Sequence, residues 1–167
     1  LSMSACAFPV ALKDESGVKF TALSAPRRII STMPSNTEIL FELGLEKRII
    51  AVSSRCDFPS ETASLPKVGD ISLNAEKIVS LNPDLVVMLY DMQRYQIERL
   101  RELSLPVFVI NPRNLEQLSD SVILLGKVTG TSDAARSLAD RIKRSVAKAS
   151  RKNKKNPGSK LLIVLWP

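Results

Sequence analysis

Residues 28–57 read Arg-Ile-Ile-Ser-Thr-Met-Pro-Ser-Asn-Thr-Glu-Ile-Leu-Phe-Glu-Leu-Gly-Leu-Glu-Lys-Arg-Ile-Ile-Ala-Val-Ser-Ser-Arg-Cys-Asp. Ile29 and Ile30 form a short apolar run that stops at Met33-Pro34, and Ser35 with Glu38 three positions later predicts a capping box that opens a helix. Ile39, Leu40 and Leu43 then share one helical face, Gly44 ends it, and Ile49 to Val52 resumes an apolar strand. The stretch is therefore a strand, a helix and a strand. Its first strand ends in a polar loop at a helix N-terminus, where free N–H groups and the macrodipole favour an anionic or oxygen-rich ligand. A capped helix in an ordinary α/β domain accounts for the same residues.

The same alternation continues downstream. Asn74 is placed to cap a short helix with Ile78, Val79 and Leu81 inward, and Pro83 ends it. Leu85 to Leu89 is a continuous apolar run of the kind found in buried parallel strands. Asp91 is placed to cap the next helix, whose apolar face is Ile97, Leu100 and Leu103. Val107 to Ile110 is another strand, stopped at Asn111-Pro112, and Asn114 with Gln117 makes a second capping box before a helix ending at Gly130. Thr131 is placed to cap a long last helix with Ala135, Leu138, Ile142 and Val146 on one side. Upstream, Val10 and Leu12, the turn Asp14-Glu15-Ser16-Gly17, then Val18, Phe20 and Leu23 predict a hairpin on the domain's edge. The expected fold is an α/β, three-layer lobe: a parallel sheet with right-handed crossovers and helices on both faces, an N-terminal β-hairpin and a long C-terminal helix.

Composition narrows the function. The chain has 167 residues, 44% of them hydrophobic, enough for one domain with a core. No apolar run approaches the roughly 20 residues of a spanning helix. The formal charge of +7 is concentrated: nine Lys and Arg lie between Arg141 and Lys160 with no acid, leaving 15 basic and 17 acidic residues elsewhere. With no aromatic interleaving, recognition helix or zinc spacing, that segment reads as a solvated helix face, not a nucleic-acid interface. The chain contains no histidine, so the commonest general base and metal ligand is missing. It also lacks a Gly-x-Ser-x-Gly elbow, a Gly-rich dinucleotide loop and a P-loop. Ser53, Ser54 and Cys56 have no partner base recognisable in the sequence. No cofactor or metal site is expected, and an α/β enzyme or regulatory domain is the secondary reading.

In parallel α/β sheets, residues at the carboxyl ends of strands reach ligand. That rule selects Pro34, Ser35 and Asn36 after the first strand, Arg55 after the second, Asp70 in the following loop, and Tyr90, Asp91 and Gln93 after the third. Each has a local alternative, Ser35 and Asp91 as caps, Asp70 in a turn and Tyr90 as a half-buried strand end.

An ordered set of motifs adds to this. Pro34-Ser35-Asn36-Thr37-Glu38, Ala51-Val52-Ser53-Ser54, Asp57-Phe58-Pro59, Lys67-Val68-Gly69, Asn74-Ala75-Glu76-Lys77-Ile78 and Leu81-Asn82-Pro83-Asp84-Leu85-Val86-Val87 follow one another. Together they resemble the N-terminal lobe of periplasmic substrate-binding proteins of ABC importers, in the subgroup for cobalamin, haem and ferric siderophores. The resemblance runs from about Phe8 to the C-terminus. It implies a non-enzymatic extracytoplasmic protein that takes an iron-chelate or corrinoid small molecule to a membrane permease, with no nucleic-acid partner. By the same resemblance, Glu76 forms a salt bridge to permease arginines; an ordinary first-turn glutamate, favoured by the helix dipole, is the alternative. Cobalamin binders present aromatic platforms where Arg55, Asp70 and Leu89 stand, with only Tyr90 nearby, and Arg55 suits a carboxylate, haem propionate or anionic siderophore better. The branch that binds bare zinc or manganese resembles a histidine-ligand site, which this chain cannot build.

The expected organisation is a signal or lipobox remnant at 1–7, a binding lobe at 8–130, a spine helix between lobes at 131–155, and the first strand of a second lobe at 156–167. Ser4-Ala5-Cys6 resembles the end of a lipoprotein signal, with Cys6 as the lipidated residue, although Met3 stands where Leu is usual. Cys6 is otherwise an ordinary terminal residue or the disulfide partner of Cys56. Leu161 to Trp166 is apolar, and with no second lobe to join, it is expected to drive self-association.

Overall fold

A computed structural model of the protein describes residues 8–70 and 72–153. The expected lipidation at Cys6 and the terminal strand after Asn156 lie outside those residues. The described elements are β1 (Val10–Lys13), β2 (Lys19–Ala22), β3 (Ile29–Ser31), α1 (Pro34–Glu42), β4 (Ile49–Val52), α2 (Ala75–Ser80), β5 (Leu85–Leu89), α3 (Tyr90–Glu102), β6 (Val107–Ile110), α4 (Leu115–Thr129) and α5 (Ser132–Asn153). Strands β3 to β6 form a parallel sheet in the order β4-β3-β5-β6, with Ile29 opposite both Ile49 and Leu85, and Val86 opposite Val107.

Alternation along the strands assigns the two faces. Ile29, Leu85, Val87, Phe108 and Ile110 pack with Leu40 and Leu43 of the α1 region, Val122, Leu125 and Val128 of α4, and Ala135, Leu138 and Ala139 of α5. Ile30, Val86, Met88, Val107 and Val109 pack on the other side with Ile78 of α2 and Ile97 and Leu100 of α3. Three layers follow directly. Because both faces are covered, β5 and β6 are apolar at every position, and the sequence runs had that continuous character for this reason. Burying a side chain such as Phe108, fully enclosed here, contributes about 1.5–3 kcal/mol.

The hairpin, with Val10 opposite Ala22, is tied into the lobe more firmly than an edge decoration. Phe20 meets Phe108 edge-on with ring centroids 5.3 Å apart. Asp14, 4% exposed, accepts from the Val109 N–H at 3.2 Å and from Arg101 Nη2 at 2.6 Å, while the Glu15 N–H donates to the Val109 carbonyl at 3.0 Å. The hairpin turn thus covers the outer edge of β6, whose backbone groups would otherwise invite pairing with another chain.

Several local expectations are corrected. The Ser35–Glu38 capping box does not form: α1 begins at Pro34, with Met33 at the cap position and no side-chain cap. Proline takes the first helical position because it has no N–H to satisfy and its φ is already helical. Asp91 does not cap α3 either, which begins at Tyr90 with Leu89 at the cap. Val79 is 46% and Leu103 48% exposed, so neither faces the core. Thr131 does stand directly before α5, with its carbonyl accepting from the Ala135 N–H at 3.0 Å and its hydroxyl 2.8 Å from that of Thr129. By contrast, Asn74 and Asn114 do cap their helices, accepting from Lys77 N–H and Gln117 N–H at 2.9 Å each. The return arm of the second box lands one residue early, with Gln117 Oε1 accepting from the Arg113 N–H at 2.8 Å. Gly130, at φ 75°, closes α4, and α5 lies along α4 where Gly126 leaves no room for a Cβ beside Ala135.

Candidate functional site

Four parallel strands ending at one edge place their following loops side by side: Thr32–Pro34 after β3, Ser53–Phe58 after β4, Leu89–Asp91 after β5 and Asn111–Asn114 after β6. Gly69–Leu73 joins them, because Lys67 pairs in parallel with Val52: the Val52 N–H donates to the Pro66 carbonyl and the Val68 N–H to the Val52 carbonyl, each at 3.0 Å. The strand order reverses between β3 and β5, and at such a switch point the two flanking loops diverge and leave a crevice.

Gln93 bridges the two loops at that point. It is 2% exposed and sits at φ −132°, ψ 21°, a non-helical residue inside α3. Its Oε1 accepts from the Thr32 hydroxyl at 2.6 Å and the Leu89 N–H at 3.3 Å, and its Nε2 donates to the Thr32 carbonyl at 3.3 Å. The expectation that Gln93 faces ligand is therefore corrected: its amide is occupied by the loops on both sides. Burial excludes Asn36 from direct solvent contact as well. That side chain is fully enclosed, and neither its Oδ1 nor its Nδ2 meets a protein partner. It falls four and seven residues before Leu40 and Leu43, on the face of α1 turned to the core.

The remaining selected residues reach the surface. Pro34 is half-buried and Ser35 exposed at the start of α1. Arg55 and Asp70 come together from different loops, with Nε 2.5 Å from Oδ2 and side-chain exposures of 46% and 38%. The carboxyl edge of the sheet therefore carries a charge pair where the sequence suggested two separate groups. Tyr90 is half-buried, with the Arg94 guanidinium 5.6 Å from its ring centroid. Asp91 is exposed, 3.6 Å from Arg113 Nη2. Glu76 projects from the first turn of α2, exposed, just past the Asn74 cap.

Two apolar residues that the sequence reading passed over join this edge. Met92 is 54% and Tyr95 72% exposed. With Ser72, Gln93, Arg94 and Gln96 they line a shallow concavity of about 240 Å³. They lie on either side of the non-helical Gln93, while Ile97 and Leu100 take the buried side of the helix after it. The kink breaks the helical spacing between the two, so no periodicity in the sequence marked them as a pair. Among the described residues, no group of three or more Cys, Asp or Glu side chains is arranged to hold a metal ion.

An open edge of loops bearing one charge pair, an aromatic–cation contact and exposed apolar side chains, above a sheet with a switch point, is the kind of place where α/β folds hold ligands. The chain belongs to the periplasmic binding protein family, which it matches over residues 29–166. It is 32% identical over 140 residues to the uncharacterized ABC transporter substrate-binding lipoprotein YvrC of Bacillus subtilis, covering 81% of this chain and 45% of that protein. The crystal structure of the periplasmic vitamin B12 binding protein BtuF of Vibrio cholerae superposes with a TM-score of 0.73 at 25% identity, over 78% of this chain and 52% of the other. That of the heme binding protein HmuT gives 0.78 at 24% identity, over 93% and 52%, a likeness of fold. The chain thus spans about half the length of the relatives it matches.

Proposed function

We propose that the chain is the first lobe of an extracytoplasmic solute-binding protein of an ABC importer, and that its cargo is an iron-chelate, haem or siderophore, or a corrinoid. The observation that carries this reading is the carboxyl edge itself, where the Arg55–Asp70 pair lies in the same rim of loops as Tyr90, Asp91, Met92 and Tyr95. A large amphiphilic chelate has flat apolar faces and a few anionic groups, and this edge offers both kinds of partner. Ser35 and Pro34 belong to the same wall at the N-terminus of α1. The protein acts by binding and delivery, without chemistry on its cargo.

In this reading residues 131–155 lead from this lobe towards a second one, which begins at 156–167 and supplies the opposite wall. Glu76 meets basic residues of the permease. Cys6 carries the lipid that holds the protein at the outer face of the membrane. Titration of the chain with hemin, cyanocobalamin and a ferric hydroxamate siderophore, followed by absorbance and calorimetry, tests the reading. One class should give a saturable change, weak because a single wall buries only part of a ligand that a complete site encloses by about 70–90%. Non-saturable responses to all three would refute it.

A further inference from the structure

Beneath the exposed Arg55 lies a cluster of hydroxyls around one thiol. Cys56 is 2% exposed and free. Its Sγ is 3.2 Å from Thr37 Oγ1 and 3.2 Å from Ser53 Oγ, and Thr37 Oγ1 is 2.8 Å from Ser31 Oγ. The cluster therefore joins the end of β3, the first turn of α1 and the loop after β4. The backbone of Cys56 is held equally firmly. Its carbonyl accepts from Lys67 Nζ at 3.0 Å and Thr62 Oγ1 at 3.1 Å, and its N–H donates to the Ser53 carbonyl at 3.1 Å.

The adjoining Ser54 N–H donates to the Gly69 carbonyl at 2.7 Å, which links this loop to the one bearing Asp70. Gly69 itself has φ +102°, and a Cβ there would lie 2.4 Å from the Ser72 carbonyl oxygen. Only glycine fits that path. Both members of the Arg55–Asp70 pair thus stand on backbone fixed from below.

A thiol this buried is inert as a nucleophile, and it has no role in the chemistry of binding. We propose that Cys56 is a positioning residue: the thiol–hydroxyl cluster of Ser31, Thr37, Ser53 and Cys56 fixes the Ser53–Asp57 loop and presents Arg55, paired with Asp70, to an anionic group of the ligand. The part of this that concerns ligand rests on the function proposed above, while the ordering of the loop does not. The physical gain is preorganisation, since a loop already held in its bound form loses less entropy on binding.

Two measurements on the wild type, Cys56→Val and Cys56→Ser test it. The first is amide hydrogen exchange in the ligand-free protein. Cys56→Val stays apolar, adds one methyl group and removes the polar contacts, so exchange at Ser54 and at position 56 should accelerate about tenfold while Val86, Val87 and Met88 keep their protection. Cys56→Ser, which retains a hydrogen-bonding atom, should stay within about threefold of wild type. Unchanged exchange at the loop, or equal acceleration in β5, would overturn the proposal. The second compares affinity for hemin with that for its dimethyl ester, which lacks the two carboxylates. Wild type should prefer hemin, Cys56→Val should lose that preference as Arg55→Ala does, and Cys56→Ser should keep it. A preference undiminished in Cys56→Val overturns the presenting role even if the loop has loosened. Should wild type bind neither porphyrin, haem is removed from the proposed cargo, and the exchange data alone decide whether Cys56 positions the loop.

Discussion

Gln93→Leu separates a structural from a ligand-facing role at the crevice. The substitution preserves the approximate side-chain length and removes three hydrogen bonds, two to Thr32 at 2.6 and 3.3 Å and one from the Leu89 N–H at 3.3 Å. The Thr32 hydroxyl keeps a second partner, the Val87 carbonyl at 3.1 Å, so its loss is partial. The Leu89 N–H and the Thr32 carbonyl lose these contacts without a side-chain substitute. At about 1 kcal/mol net per bond, with about 1–3 kcal/mol where a buried group is left unpaired, the expected destabilisation is about 2–4 kcal/mol. With a urea m-value of about 2 kcal/mol/M for a domain of this size, the midpoint should fall by about 1–2 M at unchanged m. Amide exchange at Thr32 and Leu89 should accelerate more than in β6. A midpoint shift below about 0.3 M, combined with a marked loss of affinity for whichever chelate binds, would refute the reasoning and return Gln93 to the ligand wall.

Arg55→Ala should weaken binding of an anionic chelate by about 1.5–3 kcal/mol, the range for a hydrogen bond to a charged group. Because the Arg55–Asp70 pair is 46% and 38% exposed, melting should reveal a stability change below about 1 kcal/mol; a large loss of stability at unchanged affinity would make Arg55 structural. Glu76→Lys should leave calorimetric ligand affinity intact and reduce association with the permease in liposomes, more severely at low salt. Equal permease binding by wild type and variant would remove the docking role. Gly126→Ala would place a Cβ 2.2 Å from that of Ala135, an overpacking that costs about 1–3 kcal/mol in denaturant titrations. Adding Ala135→Gly should restore much of the loss, and simple addition of the two penalties would show that α4 and α5 do not meet there in solution.

What the sequence determined alone was everything that depends on near neighbours along the chain. The apolar runs Leu85–Leu89 and Val107–Ile110, the helical stripe Ile97 and Leu100, the caps at Asn74 and Asn114 and the stop at Gly130 each draw on contacts a few residues apart. Their alternation sufficed for a parallel sheet covered on both faces, and the ordered motifs pointed to the family. The carboxyl-end rule selected Arg55, Asp70, Tyr90 and Asp91, and the fold brings all four to the surface along one edge of the sheet. Tertiary structure decided how those groups pair and which of them face inward. Arg55 meets Asp70 across 15 residues, Thr32 meets Gln93 across 61 and Asp14 meets Val109 across 95. No local pattern encodes such partners, because a polar side chain near a strand end has the same sequence neighbours whether it turns to solvent or to a loop brought alongside it. Asn36 and Gln93 were drawn into the interior by the positions of α1 and α3 on the sheet, and Met92 and Tyr95 were left outside because Ile97 and Leu100 had already taken the buried side of α3.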